Sequence, residues 1–132
     1  MNYRQNNLKN EYLKQSVLTA SPIELIIMLF DACIKDLKLA QICLEEHRDI
    51  AGAGEHFINA QKIIMELTNC LDTRFELSES LLKVYDYLLF AIRQMNVKKD
   101  LSLLPNVLDM LESIRDTWEQ VKSGGCRTAE VS

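Results

Sequence analysis

Residues 19–30 have the sequence TASPIELIIMLF, in which a polar stretch changes abruptly into an apolar run. Ser21, Pro22 and Glu24 predict that a helix begins here. The Ser21 hydroxyl can cap the first turn, Glu24 can complete a capping box, and Pro22 suits the first helical position because its missing N–H costs nothing there. The run from residue 25 to residue 30 is apolar on every side of that helix, so every side must be covered. What covers it is the question that links this sequence to a function.

The composition is that of an ordinary globular domain. The chain has 132 residues, of which 48% are hydrophobic and 26% are charged, and this length suits one domain. The net charge of −4 disfavours binding to nucleic acid or to an anionic membrane surface, because both need clustered Lys and Arg. The longest apolar run is far shorter than the roughly 20 residues of a membrane span, and the N-terminal residues lack the apolar core of a signal peptide. We therefore expect a cytosolic protein that does not insert into a membrane.

Apolar residues recur at helical spacing in four segments, and strand alternation occurs in none. The four apolar stripes, called seams below, consist of Ile26, Phe30, Cys33, Leu37, Ala40 and Leu44 in the first helix; Ala53, Phe57, Ala60, Ile64, Leu67 and Leu71 in the second; Leu81, Tyr85, Leu88, Ile92 and Met95 in the third; and Leu104, Val107, Leu111, Ile114, Trp118 and Val121 in the fourth. Short connections between long helices favour antiparallel neighbours. The sequence therefore predicts an all-α fold, an antiparallel up-down-up-down four-helix bundle that spans residues 21–122.

Two flanking segments complete the predicted organisation. Residues 1–20 are polar, and we expect them to form an arm or a short amphipathic helix that lies on the bundle through Leu8, Tyr12, Leu13, Val17 and Leu18. Gly124 and Gly125 end the fourth helix, so residues 123–132 are expected to be a flexible tail. Asp49 is the predicted N-cap of the second helix. Pro105 fits the first turn of the fourth helix if Ser102 is the N-cap.

The first and third helices carry more apolar residues than one seam can use. Outside the seams lie Leu25, Ile27, Met28, Leu29, Ile34, Leu39 and Ile42 in the first helix, and Leu82, Val84, Tyr87, Leu89 and Phe90 in the third. Two interpretations remain open. The surplus forms a wide core with a covering N-terminal arm, or it forms a hydrophobic groove that accepts an amphipathic segment of another protein.

The sequence does not indicate a catalytic, metal or cofactor site. A di-iron bundle needs two Glu-x-x-His pairs, and neither His47 nor His56 follows a Glu at that spacing. No glycine-rich phosphate loop occurs. A phosphotransfer module that uses His56 remains an alternative. The four cysteines lack CxxC spacing, which favours core positions for the first three and a free tail thiol for the last: Cys33, Cys43, Cys70 and Cys126.

Several short motifs follow one another along the chain. They are Tyr12 with Val17-Leu18-Thr19-Ala20-Ser21-Pro22-Ile23-Glu24-Leu25, then Met28-Leu29-Phe30-Asp31, Ala60-Gln61-Lys62-Ile63-Ile64-Met65-Glu66-Leu67 with Leu71-Asp72, Val84-Tyr85-Asp86-Tyr87-Leu88, Asn96 and Asp100, and Ile114-Arg115-Asp116-Thr117-Trp118. In this order and spacing the chain resembles the flagellin-specific export chaperones of bacterial flagella, the FliS family. The resemblance extends from about residue 12 to residue 122, which is nearly the whole chain.

The resemblance implies a non-enzymatic cytosolic chaperone, a monomer or weak dimer. It would bind the disordered C-terminal segment of flagellin, prevent premature polymerisation and aid delivery to the flagellar type III export apparatus, with export-gate components as further partners. We expect the client site on the first and third helices, with two arm residues close by: Leu25, Ile26, Leu29, Val84, Tyr87, Tyr12 and Val17. A self-associating structural or signalling bundle remains the alternative from another class of protein.

Overall fold

The computed structural model describes residues 22–72, 74 and 76–125. Within these residues it contains four α-helices and no strand: α1 (Pro22–Glu45), α2 (Ile50–Asn69), α3 (Glu76–Lys98) and α4 (Leu104–Gln120), followed by a π-helical turn (Val121–Gly125). The predicted all-α class and four-helix bundle are confirmed. The predicted arm (residues 1–20), Ser21 and Cys126 lie outside the described residues, and the helical backbone continues through the position at which the sequence predicted the tail to begin.

The helices pack in a ring, in which α1 contacts α2 and α4, and α2 contacts α3. The pair α3 and α4 approaches least closely. Cross-helix contacts run in opposite sequence directions: Cys33 lies against Ala60, while Asp36, further along α1, bonds to His56, earlier on α2. This order is that of antiparallel neighbours. Gly54 lies near Lys99, so one end of the bundle, the two-loop end, holds the connections 46–49 and 99–103. Ile26 and Trp118 lie together at the other, the terminal end, which holds the start of α1 and the end of α4.

Most of the predicted seam residues form one continuous core. The side chains that are almost completely buried are Phe30, Cys33, Leu37, Ala40, Ala53, Phe57, Ala60, Ile64, Leu67, Tyr85, Leu88, Ala91, Ile92, Met95, Leu104, Val107 and Leu111. One residue outside the predicted seam of α1, Ile27, is also buried, while the seam residue Ile26 is partly buried and packs against the core. Ile26 precedes Phe30 by four residues and continues the seam, whereas Ile27 lies about 100° further round the helix, so its burial does not follow from the spacing of the seam.

Polar side chains and glycine shape the start of α2. The carboxylate of Asp49 accepts a hydrogen bond from the backbone N–H of Gly52 at 2.9 Å, as predicted for an N-cap. A Cβ atom at Gly52 would clash with the Asp49 carboxylate. The absence of a side chain at Gly52 therefore makes room for the cap.

The start of α4 differs from the prediction by one residue. The N-cap is Leu103 rather than Ser102, and no side chain caps the first turn. Asp100 instead accepts the backbone N–H of Ser102 at 2.8 Å, which turns the chain before the helix begins. Pro105 lies within the first turn, where its missing N–H removes no helical hydrogen bond.

Candidate functional site

An apolar cavity opens at the terminal end of the bundle. Its volume is about 280 Å³, just below the roughly 300–1,000 Å³ of small-molecule pockets. All four helices and the connection between α2 and α3 contribute to its walls: Ile26, Leu67, Cys70, Leu71, Asp72, Leu77, Ser78, Leu81, Tyr85 and Trp118. A cavity of this size and lining can hold a bulky apolar side chain.

The cavity is the unfilled end of the four seams. Four seam residues that line the cavity are only partly buried, whereas the same seams are closed in the middle of the bundle: Ile26, Leu71, Leu81 and Trp118. Below them, the rings of Phe30 and Tyr85 pack at a centroid distance of 6.3 Å and an interplanar angle of 50°. Tyr85 forms the floor of the cavity, and Phe30, which packs against it, is fully buried.

The floor of the cavity is uncharged at neutral pH. Burial raises the pKa of Tyr85 to about 12, and the nearby Cys70 adds to the shift. Burial also raises the pKa of the Cys70 thiol, with a further contribution from the charge of Glu66. At the rim, hydrogen bonds from the Arg74 side chain and backbone N–H lower the pKa of Asp72, which therefore stays ionised. An apolar guest thus meets a neutral floor and a charged edge.

One ion pair connects the α4 wall of the cavity to α1. Arg115 Nε donates to Asp31 Oδ1 at 2.7 Å, and Arg115 Nη2 donates to Asp31 Oδ2 at 3.4 Å. Trp118 lies one turn after Arg115 and forms part of the wall. Arg115 and Trp118 belong to one of the motifs that carry the resemblance. In the structure, Arg115 binds α1 and Trp118, on the same helix, lines the cavity.

The predicted client residues lie in three places. Ile26 lines the cavity. Leu25 and Leu29 share a stripe of α1 with Asp36, which bonds to His56 of α2, so they lie on the side of α1 that faces α2. Both are partly buried, and Leu29 packs against the core.

The third place is the gap between α3 and α4. Val84 is partly buried there, while Tyr87 is exposed and its hydroxyl accepts a hydrogen bond from Asn106 Nδ2 of α4 at 3.4 Å. The cavity, the α1–α2 side and the α3–α4 side are thus separate surfaces. Tyr12 and Val17 lie outside the described residues.

Sequence analysis missed the rim of the cavity. Leu77, Ser78 and Cys70 line it, but they belong to the connection and to the first turn of α3, where no helical repeat marks them. Cys70 is exposed, so its interpretation as a core residue was wrong, whereas Cys33 is buried as predicted and Cys43 is half-buried. One signal could have indicated the cavity. In an antiparallel bundle, the first seam residues of α1 and α3 lie close to the last seam residues of α2 and α4, at the same end of the bundle.

Other exposed apolar side chains are spread over the bundle. Seven of them lie on α2 and α3, outside the cavity: Ile50, Ile58, Met65, Leu82, Tyr87, Phe90 and Val97. A second depression, of about 270 Å³, lies between the end of α3 and the connection to α4, and its lining mixes Lys98 and Asp100 with Phe90 and Leu103. The cavity at the terminal end is the better candidate, because its lining is almost entirely apolar.

Metal and membrane sites gain no support within the described part of the chain. Residues 22–72, 74 and 76–125 contain no group of three or more His, Cys, Asp or Glu side chains that could hold a metal ion. Among the helices of these residues, none combines the length and the apolar character needed to cross a lipid bilayer.

Comparison with known proteins identifies the family. The model of the family described as flagellar protein FliS matches residues 4–124 of this chain. The chain belongs to the FliS family. The flagellar secretion chaperone FliS of Bacillus subtilis (strain 168) is 38% identical over 109 residues, which cover 83% of this chain and 81% of the relative. The protein of the same name from Salmonella typhimurium (strain LT2) is 32% identical over 112 residues, 83% of this chain and 82% of the relative.

Family membership decides several predictions. The resemblance to FliS is confirmed, and with it the role of a flagellar export chaperone rather than an enzyme. The apolar lining of the cavity at the terminal end makes it the candidate binding site of this chain.

Proposed function

We propose that this protein binds the disordered C-terminal segment of flagellin in the cytosol, prevents its premature polymerisation and aids its delivery to the type III export apparatus. Membership of the FliS family supports the export role. The apolar cavity at the terminal end is the observation that carries the binding proposal. Export-gate components are further proposed partners, and the working state is a monomer or weak dimer.

A disordered client fits the distribution of apolar surface. The cavity offers one deep anchor, and exposed side chains such as Ile58, Met65 and Phe90 offer shallow contacts on other faces. A flexible amphipathic segment can reach several separate surfaces by wrapping around the bundle. Ordering that segment costs conformational entropy, which keeps the affinity moderate and the client releasable for export.

The N-terminal arm is a proposed cover for the cavity in the absence of client. Residues 1–20 precede α1, and Ile26 in the second turn of α1 lines the cavity. The arm carries the apolar residues Tyr12 and Val17. A client segment that displaced the arm would replace the apolar contacts between the arm and the cavity with its own.

Isothermal titration of the full chain with a flagellin C-terminal peptide tests the proposal. We expect saturable heat with one peptide per chain, and none with a scrambled peptide of the same composition. Absence of binding at tens of micromolar would contradict the proposed function. Repeating the titration on a chain that begins at residue 21 tests the arm, because removal of a competing cover should tighten peptide binding.

The alternatives from the sequence lose support. A self-association interface through Leu25, Leu29 and Tyr87 would have to use two separate faces of the bundle at once. A phosphotransfer role for His56 would compete with its 2.9 Å contact to Asp36, which engages Nδ1 between two helices. Light scattering and the His56→Ala variant test these two alternatives.

A further inference from the structure

The ion pair between Arg115 and Asp31 is the cross-helix tie nearest the cavity. Two atoms of the Arg115 guanidinium reach the two carboxylate oxygens of Asp31 on α1. Arg115 also contacts Glu119 at 3.1 Å and Asp116 at 3.5 Å, but both of these partners lie on α4 itself. Among these three carboxylates, only Asp31 therefore restrains α4 relative to another helix.

The second half of α4 needs such a restraint because its packing weakens along its length. Leu111 is fully buried, Ile114 and Trp118 are partly buried, and Val121 is exposed. The opposite neighbour, α3, approaches α4 least of all adjacent pairs in the bundle. The α4 wall of the cavity is therefore held mainly against α1, on the side where Arg115 meets Asp31.

We propose that the Arg115–Asp31 pair is a latch that holds the Trp118 wall against α1 and so sets the width of the cavity. Arg115 is a positioning residue in this proposal, because it acts on the cavity through the helix that carries Trp118. When the latch opens, the second half of α4 moves outward and the cavity widens. The latch would regulate the binding site of the proposed function, on which its biological meaning rests, but its existence is testable without any client.

The chemistry of the pair suits a reversible latch. The planar guanidinium matches the two carboxylate oxygens, which gives the closed state a defined geometry. The Asp31 side chain is 51% exposed and that of Arg115 is 29% exposed, so water and salt can reach both groups. Exposed pairs of this kind are screened by salt and change an equilibrium by about two- to fivefold. The latch is thus strong enough to bias the wall and weak enough to open.

The chain supplies its own reporter, because Trp118 is its single tryptophan. Acrylamide quenching of Trp118 fluorescence in the full chain, without client, measures how often the wall opens. We expect Asp31→Asn to raise the ratio of open to closed states about two- to fivefold, seen as stronger quenching and a red-shifted emission maximum. The matched control is Asp116→Asn, which removes a contact of Arg115 within α4 and should leave quenching unchanged.

Salt distinguishes a latch from a general loosening of the structure. Raising the ionic strength should bring quenching in the wild-type chain towards that of Asp31→Asn, while the variant itself should barely respond. Arg115→Gln should behave like Asp31→Asn. Equal quenching in the wild type, Asp31→Asn and Arg115→Gln at low salt would overturn the proposal, as would an equal effect of Asp116→Asn. Because no peptide is present, these outcomes are independent of whether flagellin binds.

Discussion

The two ends of the bundle are built from the same seams, but the seam residues are more deeply buried at one end than at the other. At the two-loop end, Leu37, Phe57, Ile92 and Val107 are fully buried. At the terminal end, the equivalent seam residues are partly buried around a cavity of about 280 Å³. An unbroken apolar seam therefore does not guarantee a closed core.

The connections explain part of the difference. The two-loop end holds two short connections, one between α1 and α2 and the other between α3 and α4. The terminal end holds the single connection between α2 and α3, and α1 begins and α4 ends there without a link between them. Helices joined at one end can separate at the other, and α3 and α4 are the pair that packs least closely.

A matched pair of Leu→Ala substitutions tests this comparison with the largest expected change in the free energy of unfolding. Leu37→Ala removes a fully buried side chain at the two-loop end and should lower the free energy of unfolding by about 3–5 kcal/mol. Leu81→Ala removes a side chain that already borders a cavity and should cost about 1 kcal/mol. Urea unfolding measured by circular dichroism gives both values. Equal losses would show that the terminal end is as closed as the other.

Stability at alkaline pH compares a buried group in the middle of the bundle, Cys33, with one at the floor of the cavity, Tyr85. Burial and the charge of Asp36 raise the pKa of Cys33 from its ordinary 9.0 to about 12, and that of Tyr85 rises from 10.0 to about 12. The folded state thus keeps protons that the unfolded chain loses. Stability is complete below about pH 9 and falls by about 1.4 kcal/mol per pH unit for each group between its unfolded and folded pKa.

Denaturant unfolding across pH 8–11.5 measures this loss. Tyr85→Phe should flatten the decline above about pH 10, and Cys33→Ala should flatten the part that begins near pH 9. A saturating flagellin peptide should move the ionisation of Tyr85 to higher pH, because a filled cavity removes more water from the phenol, whereas that of Cys33 should not move. An unchanged pH profile in the Tyr85→Phe variant would mean that the phenol is hydrated at the terminal end.

Client binding should respond to a charge at one end only. Leu77, on the cavity rim, is 67% exposed, and Ile50, at the two-loop end, is 62% exposed, so aspartate at either position should be tolerated by the fold. We expect Leu77→Asp to weaken binding of the flagellin peptide about tenfold, or about 1.4 kcal/mol, and Ile50→Asp to leave the affinity within a factor of about two. Titration calorimetry measures both, and equal weakening would place the client elsewhere.

The smallest expected effect concerns the glycines of the two-loop end. Gly54→Ala should stabilise the protein by about 0.5–1 kcal/mol, because its Cβ would meet other atoms at no less than 3.6 Å and alanine favours the helix. Gly52→Ala should gain little, because the new Cβ displaces the Asp49 cap, which is worth about 1 kcal/mol. Thermal unfolding separates the two. In an Asp49→Ala background both substitutions should stabilise equally, and a persistent difference would refute this account of the cap.

The fold could be predicted because its determinants are local or repetitive. The seams gave the four helices, and Asp49 was found as an N-cap from residue type and position alone. The errors lie where two local solutions are similar in energy. Ser102 and Leu103 can each precede the first turn that contains Pro105, and the apolar residues Ile26 and Ile27, one inside the seam and one outside it, can each be buried. Only packing against the neighbouring helices distinguishes them.

The candidate site was predicted in part. Ile26 was named for the client site, and Trp118 was named in a motif, but Leu77 and Cys70 carried no pattern that pointed to a cavity. Burial depends on which side chains the other helices bring opposite, and a single stripe cannot report that. The separation of Leu25 and Leu29 from Val84 and Tyr87 onto different faces followed from the ring order of the helices.

The sequence by itself determined four amphipathic helices, an apolar surplus and the FliS resemblance, because helix formation and apolar spacing are properties of neighbouring residues. The tertiary structure decided which part of the surplus is buried in the core and which part is exposed. At the two-loop end the helices converge and exclude water from the seam. At the terminal end they leave a space that Arg115 and Asp31 help to bound. That difference arises from the relative positions of helices, which no single segment encodes.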